Sequence, residues 1–170
     1  MSRKFQIKAV PSSWLENNGR RLDCGPYMSG ALEARELLRK HITEPLSKVT
    51  SEIYHAGRES RIWVDSPEHG VPFMGSTDIL AMDLSCLPLI SKKQIASNPK
   101  FSIGKGWTLI TRSGTVGRMA FARSDMDGVA CSEHVMRVVP NESSIKPGYL
   151  YAYLSSRFGV PIVVSGTYGA

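Results

Sequence analysis

Hydrophobic residues recur at helical spacing in one segment near the start of the chain. In GALEARELLRKHI (30–42), the apolar positions Ala31, Ala34, Leu38 and Ile42 repeat every three or four residues. Acidic residues lie early in this segment and basic residues late, an order that complements the helix dipole. The pattern therefore predicts a helix here.

Weaker patterns flank this helix on both sides. FQIKAV (5–10) alternates weakly and predicts a short strand, whereas the turn-rich residues 11–29 predict mostly irregular structure. Pro45 suits the first turn of a second short helix. The apolar face of that helix would comprise Leu46, Val49 and Ile53.

From residue 61 onward the pattern is mainly that of strands separated by turns. Strands are predicted at RIWV (61–64), VPFMG (71–75), GWTLIT (106–111), GRMAFAR (117–123), VACSEHVMRVV (129–139) and VPIVV (160–164). One helix, PGYLYAYLSSRFG (147–159), is inserted before the last strand, and residues 90–106 are expected to form a loop with one helical turn. We expect Leu109, Met119, Phe121, Trp63, Trp107, Tyr149 and Tyr153 to lie in the core.

The order of these elements indicates the fold class. Helices come first, and strands with one inserted helix follow, which favours an α+β fold over a regular parallel βαβ array. We predict N-terminal helices followed by a mixed, mostly antiparallel twisted sheet. The 170 residues suit one domain. In it, residues 1–60 would be an irregular and helical lead-in and residues 61–170 a β-rich core.

Composition narrows the class of protein further. The three cysteines are dispersed, at Cys24, Cys86 and Cys131, which indicates neither a disulfide framework nor a zinc site. The N-terminal segment lacks the apolar core of a signal peptide, and no stretch has the apolar length of a membrane span. We therefore expect a cytoplasmic protein without a membrane partner.

The positive charge is concentrated in one part of the sequence. The formal net charge is +6, yet residues 84–124 contain no Asp or Glu. Seven basic residues lie in that segment: Lys92, Lys93, Lys100, Lys105, Arg112, Arg118 and Arg123. Such a concentration suits attraction of phosphate groups. The alternative is a solvated surface whose acidic neighbours are close in space but distant in sequence.

No arrangement typical of an enzyme is evident. The four histidines show no metal-ligand spacing with one another or with cysteine, and no serine lies in a nucleophile-elbow pattern. Glu133 and His134 are adjacent, and in a strand their side chains would point to opposite faces, so His134 is interpreted as structural. The sequence predicts a binding module that lacks a catalytic site, a metal and a cofactor.

Four motifs in a fixed order carry a family resemblance. They are GVPFMGSTDI (70–79), GWTLITRSGTVGRMAF (106–121), VACSEHVMRVVP (129–140), and the segment from GYLYAYLSSRFG to SGTYGA (148–170). Together they resemble the target recognition domain of the specificity subunits of type I restriction–modification systems. RLDCGPYMSGALEARELL (21–38) is similar to a lead-in found in some relatives. Each motif alone is weak, and their order is the stronger signal.

The resemblance implies sequence-specific binding of double-stranded DNA, with one domain recognising one half of a split target. Catalysis would lie on partner chains, namely DNA methyltransferase subunits and, as a further partner, the restriction subunit. Specificity subunits of this family have two such domains joined by spacer helices. We therefore expect a fragment, a truncated product or a half-subunit without the spacer helix.

Two other hypotheses stay open. The chain could be a non-catalytic protein-interaction module with a basic surface. It could also be the recognition fragment of a larger single-chain modification enzyme.

The predicted DNA-binding residues fall into two groups. Loop residues expected near base edges are Ser76, Thr77, Lys92, Lys93, Gln94 and Tyr168. Residues of the basic hairpin region are Lys105, Arg112, Ser113, Thr115 and Arg118, of which the two arginines are expected to contact phosphates. Gly114 and Gly117 would shape the turn or let its backbone approach a partner. For each of these residues, a plain surface role is the alternative.

Overall fold

The computed structural model describes residues 5–166, and these fall into two compact units. One unit combines residues 5–43 with 154–166, and the other is Glu44–Tyr153. The first unit is helical and the second contains every strand of the described residues. This composition is α+β, as the order of elements in the sequence predicts.

Helices make up the first unit. They are α1 (Ser12–Asn17), α2 (Gly25–Met28), α3 (Ala31–Leu38) and α7 (Gly159–Ser165). α2 has a proline in its first turn, where the missing N–H costs no hydrogen bond. α3 buries Ala31, Leu32 and Ala34 and packs against α7. The helix predicted at 30–42 is therefore confirmed, although it ends at Leu38 and leaves Ile42 exposed.

The second unit contains two four-stranded sheets. Its strands are β1 (Thr50–Tyr54), β2 (Trp63–Val64), β3 (Gly70–Met74), β4 (Leu89–Ser91), β5 (Thr108–Thr111), β6 (Met119–Phe121), β7 (Ala130–Cys131) and β8 (Val135–Pro140). The first sheet has the order β1-β8-β5-β6 and is antiparallel throughout. The second has the order β2-β4-β3-β7, in which only the β3–β7 pair is parallel. The mixed, mostly antiparallel character is confirmed, but the strands are divided between two sheets.

Three helices complete this unit: α4 (Leu46–Val49), α5 (Lys92–Ser97) and α6 (Pro147–Leu154). The predicted second short helix is present as α4, but Pro45 lies at its N-cap rather than in its first turn, and α4 leads directly into β1. α5 lies in the segment expected to contain one helical turn. The aromatic ring of Tyr151 on α6 lies 5.7 Å from that of Phe121 on β6.

The main core lies between the two sheets. Both sheets contribute to it, and so do the segments that connect their strands. Its strand residues are Met74, Leu109, Ala120, Cys131 and Val135, and its residues from connecting segments are Ile79, Ile103, Ala122, Met126 and Val129. A second cluster comprises Ala56, Phe73, Ile90, Phe101 and Ala130, with Ile95 of α5 packed against it. Phe73 and Met74 at the end of β3 and both residues of β7 are buried, so close packing fixes the positions of the loops that follow these two strands.

Several elements differ from the sequence expectations. Residues 5–10 form no strand, and Phe5 and Ile7 are exposed, because weak alternation without a pairing partner cannot order a strand. Ile53 belongs to β1 rather than to a helical face, since β8 offers it a partner at Val138. VPIVV (160–164), expected as a strand, lies in helix α7.

The expected core aromatics are only partly buried. Trp107 packs against the main core, as predicted. Trp63, Tyr149 and Tyr153 are 50%, 67% and 38% exposed, so their assignment to the core was wrong. Trp63 lies on the two-residue edge strand β2, which has sheet neighbours on one side only, and its ring contacts Phe73 edge-on at 5.3 Å.

Candidate nucleic-acid interface

The parallel pair β3–β7 brings two polar loops together. Phe73 is paired with Ala130 and Met74 with Cys131, and the amide of Ser132 donates to the carbonyl of Met74 at 3.0 Å. Because parallel strands end at the same edge of a sheet, the loop at 75–77 lies beside the turn at 132–134. Ser76 and Thr77, predicted from sequence, occupy the first of these loops.

The hairpin loop between β5 and β6 joins the same place. The amide of Arg112 donates to the carbonyl of His134 at 2.9 Å, and Ser113 Oγ lies 2.6 Å from His134 Nδ1. Residues 75–77, 112–118 and 132–134 are therefore contiguous, and we call them the tip surface. It unites Ser76, Thr77, Arg112, Ser113, Thr115 and Arg118.

Hydrogen bonds fix the base of the hairpin loop. Thr111 is buried, and its hydroxyl accepts from the Arg118 amide at 3.0 Å while donating to the Thr115 carbonyl. The amide of Gly117 donates to the Thr111 carbonyl at 2.9 Å. Gly117 has φ +84°, a conformation that residues with a Cβ rarely adopt. Gly117 therefore shapes the turn. The sequence left open whether it has this role or lets the backbone approach a partner.

The loop at 75–77 is shaped by Asp78. Its carboxylate accepts from the Gly75 amide at 2.7 Å and from the Thr77 hydroxyl at 3.3 Å. Thr77 is exposed and Ser76 half-buried. The loop therefore presents two short hydroxyl side chains from a hydrogen-bonded turn.

The charges at the tip surface are unevenly compensated. Within residues 5–166, neither Arg112 nor Arg118 forms an ion pair, and both are exposed. Arg123, in the same basic segment, is paired with Asp125 at 2.8 Å. The Arg112 guanidinium donates one hydrogen bond, to the Glu133 carbonyl at 3.4 Å. No carboxylate of the described residues neutralises either guanidinium, so both can attract an external anion.

Glu133 is a buried acid within the tip surface. Its carboxylate accepts from Arg61 at 2.8 Å, and Oε1 lies 3.4 Å from His134 Nε2. Burial acts to raise the pKa of Glu133, but backbone and Arg61 hydrogen bonds together with the charges of Arg61 and His134 outweigh it and lower that pKa. Glu133 and His134 lie in the turn between β7 and β8, not on opposite faces of one strand as expected.

Arg137 braces this turn from inside the protein. Its side chain is completely buried on β8 and donates to the carbonyls of Ser132 at 2.9 Å, Val135 at 2.6 Å and Phe101 at 3.0 Å, and also to that of Cys131. Burial lowers the pKa of Arg137. The role of Arg137 could not be predicted from sequence, because a single arginine in a hydrophobic strand does not show which groups its guanidinium will contact.

The remaining predicted residues lie away from the tip surface. Lys92 and Lys93 follow the last residue of β4, Ser91, which is paired with the first residue of β3, Gly70. The two lysines therefore lie near the start of β3, whereas Ser76 lies beyond its end. Lys105 precedes β5, so it lies at the opposite end of the hairpin from Arg112. Tyr168 is outside the described residues.

Gln94 has a structural environment. It is buried on α5, where its carbonyl accepts from the Ile62 amide at 2.9 Å and its amide donates to the Ser60 carbonyl at 2.7 Å. These bonds tie α5 to the segment before β2. The side-chain amide of Gln94 is therefore engaged inside the protein rather than presented to a ligand.

The described residues give little support for a metal site or for a reactive cysteine. No group of three or more His, Cys, Asp or Glu side chains there is placed to hold a metal ion. Burial raises the pKa of the Cys131 thiol to about 11, so this group is not an activated nucleophile. Across residues 5–166, none of the helices has the length and apolar character that crossing a membrane requires.

The fold and this site define an α+β protein with two four-stranded sheets, whose polar loops meet at one end of a parallel strand pair. Among solved structures, the chain resembles the HsdS subunit from Thermoanaerobacter tengcongensis, with a TM-score of 0.52 and 14% sequence identity. The similarity covers 90% of this chain and 38% of that one. No protein-family model and no curated protein matches the sequence.

Proposed function

We propose that this chain is a DNA-recognition domain that binds duplex DNA in a sequence-dependent manner through the tip surface. The observation that carries the proposal is that Arg112 and Arg118, which form no ion pair within residues 5–166, lie beside the polar loops at 75–77 and 132–134. The fold similarity to an HsdS subunit supports the same function.

The two kinds of side chain suit different parts of a DNA duplex. Guanidinium groups neutralise phosphates and release counterions, which provides affinity and a strong dependence on salt. Hydroxyl and imidazole groups on rigid loops can donate to and accept from base edges in the major groove. We therefore assign phosphate contacts to Arg112 and Arg118, and base contacts to Ser76, Thr77 and His134.

His134 is an addition to the residues expected from sequence. It is exposed, and its ring is oriented by Ser113 on one side and by Glu133 on the other. A side chain held in this way loses little conformational freedom on binding. The signal that could have pointed to it is its position in the polar turn Ser132–His134 between two apolar runs, since loops often carry function.

The biological setting is also part of the proposal. The HsdS similarity and the motif order support a role in a type I restriction–modification complex, where this domain would recognise one half of a split target. Catalysis would reside on DNA methyltransferase subunits and on the restriction subunit. The chain spans 38% of the HsdS subunit, and in this proposal a second recognition domain would bind the other half of the target.

Selection from a pool of randomised duplexes, followed by sequencing, tests this function. We expect enrichment of one short motif with the full chain, because several polar loops contact base edges together. Binding to that motif should weaken steeply with salt. The Ser76→Ala and Thr77→Ala variants should relax the preference at individual positions while leaving the salt dependence unchanged.

Other outcomes separate the alternatives. Salt-sensitive binding without any enriched motif would contradict sequence recognition by this chain alone. Absence of DNA binding at low salt would reject the proposal and favour the protein-interaction hypothesis. Enrichment only after a methyltransferase subunit is added would contradict recognition by the isolated domain and favour a site completed by the partner.

A further inference from the structure

The backbone of the hairpin loop has a run of free donors. Gly117 and Arg118 donate their amides to Thr111, as described above, and Arg112 donates to His134. Within residues 5–166, by contrast, the amides of the four consecutive residues 113–116 have no acceptor. These amides lie in a loop whose two ends are fixed by hydrogen bonds.

The side chains around these amides are also donors. Arg112 and Arg118 bracket the loop, and neither meets a carboxylate in the described part of the chain. The hydroxyl of Ser113 is in contact with His134, and Thr115 is exposed. The carboxylate of Glu133, whose main-chain carbonyl accepts from Arg112, is paired with Arg61. The loop is therefore flanked by two arginines that no carboxylate of the described residues neutralises.

Gly114 keeps the loop accessible. It is exposed with φ +70°, and a Cβ built on it would meet no atom within 4 Å. Space around the glycine is thus open to a ligand, and its left-handed backbone turns neighbouring amides in a way that a continuous strand does not. Successive backbone N–H groups around a left-handed residue form the concave anion sites found in many proteins.

We propose that residues 113–116 form an anion-binding loop that holds one phosphate group through backbone amides, with Arg112 and Arg118 on either side. The shared chemistry is a tetrahedral phosphate oxyanion, and its identification as a phosphodiester of DNA rests on the proposed function. Because amides recognise the phosphate without regard to sequence, the loop would set the register in which the loops at 75–77 and 132–134 meet base edges.

The test uses the full chain, with amide resonances followed during titration. Inorganic phosphate is the first probe, duplex DNA the second, and sodium chloride at matched ionic strength the control. We expect phosphate and DNA to shift the amides of 113–116 in a saturable manner, and chloride to leave them nearly unchanged. The amide of Gly128 serves as an internal reference, because that glycine is also exposed with positive φ, +78°.

Gly114→Ala and Gly128→Ala form a matched pair of variants. Both add a Cβ at a left-handed position with open space around it, so their effects on folding should be similar. Gly114→Ala should weaken phosphate binding by about tenfold, the equivalent of one lost charged hydrogen bond. Gly128→Ala should leave it unchanged. Equal effects of the two variants would overturn the proposal.

The outcomes distinguish this inference from the proposed function. DNA binding with an enriched motif but without shifts at 113–116 would overturn the anion-binding loop and leave DNA recognition standing. Shifts with phosphate, but no binding of any duplex, would overturn the phosphodiester assignment and the proposed function together. No shifts with either probe would overturn the loop as an anion site.

Discussion

Arg137 occupies a position that a hydrophobic residue would fill in most strands. Its guanidinium is enclosed between the sheets and donates to four main-chain carbonyls, three of which belong to β7, to the turn after it or to the start of β8. The planar guanidinium of arginine can donate to several separate acceptors at once, whereas the donors of a lysine ammonium group are all on one nitrogen atom. The fixed shape of the 132–134 turn, and hence the place of His134, depends on this side chain.

Arg137→Lys should lower the free energy of unfolding by at least about 2 kcal/mol, because buried carbonyls would lose their donors. Urea denaturation of the variant and of the wild type measures the difference. Arg118→Lys is the control, an exposed guanidinium for which we expect a change below about 0.5 kcal/mol. Equal stability of the two variants would contradict the bracing role of Arg137.

Helix α7 shows how a short segment can adopt a structure against its own preference. Four of its seven residues are valine or isoleucine, types that favour strands because branching at Cβ restricts their rotamers in helices. The described part of its unit contains no strand with which it could pair, whereas α3 presents a packing surface. Pro161 is the third residue of α7, where a proline breaks no intrahelical hydrogen bond.

Val163→Pro should therefore disrupt α7, at a cost of about 3 kcal/mol to the helix, because proline removes an interior hydrogen bond and its ring clashes with the preceding turn. Amide hydrogen exchange in α7 and α3 reports the loss of protection. Pro161→Ala, in the first turn of the same helix, should leave protection close to that of the wild type. Protection in α7 that Val163→Pro leaves unchanged would contradict the dependence of this segment on helical hydrogen bonds.

The positive charge of the whole molecule is more dispersed in space than in sequence. Lys92 and Lys93 follow β4 at the end where β3 begins, and Lys105 lies at the opposite end of the β5–β6 hairpin from the tip surface. Arg123 is neutralised by Asp125. Of the seven basic residues in 84–124, only Arg112 and Arg118 belong to the tip surface.

Two charge-matched double variants separate local binding from overall charge. Arg112→Ala with Arg118→Ala, and Lys92→Ala with Lys93→Ala, each remove two positive charges from a net charge of +6. The arginine pair should reduce the salt slope of DNA binding by about 0.9 for each phosphate that the protein no longer neutralises, whereas the lysine pair should change it little. Equal slopes for the two double variants would show that overall charge governs binding.

Much of the second unit could be predicted from sequence for a clear reason. Strands with strong local patterns, such as those at 71–75 and 106–111, and the turn at 112–118 between hairpin strands, depend mainly on neighbouring residues. The same local patterns identified Ser76, Thr77, Arg112 and Arg118 as candidates. The burial of Gln94 could not be predicted, because the sequence of a short helix does not show whether a polar residue faces water or the main chain of a distant segment.

The amino-acid sequence by itself determined the α+β class, the hairpin and its basic loop, since these follow from periodicity, turn residues and charge that act over short distances. Only the tertiary structure decided that the β3–β7 pair is parallel, which brings the loops at 75–77 and 132–134 together across more than fifty residues. It also decided that α7 is a helix and that Arg137 is buried. Long-range pairing and burial depend on which partners are available in space, and no local pattern records that choice.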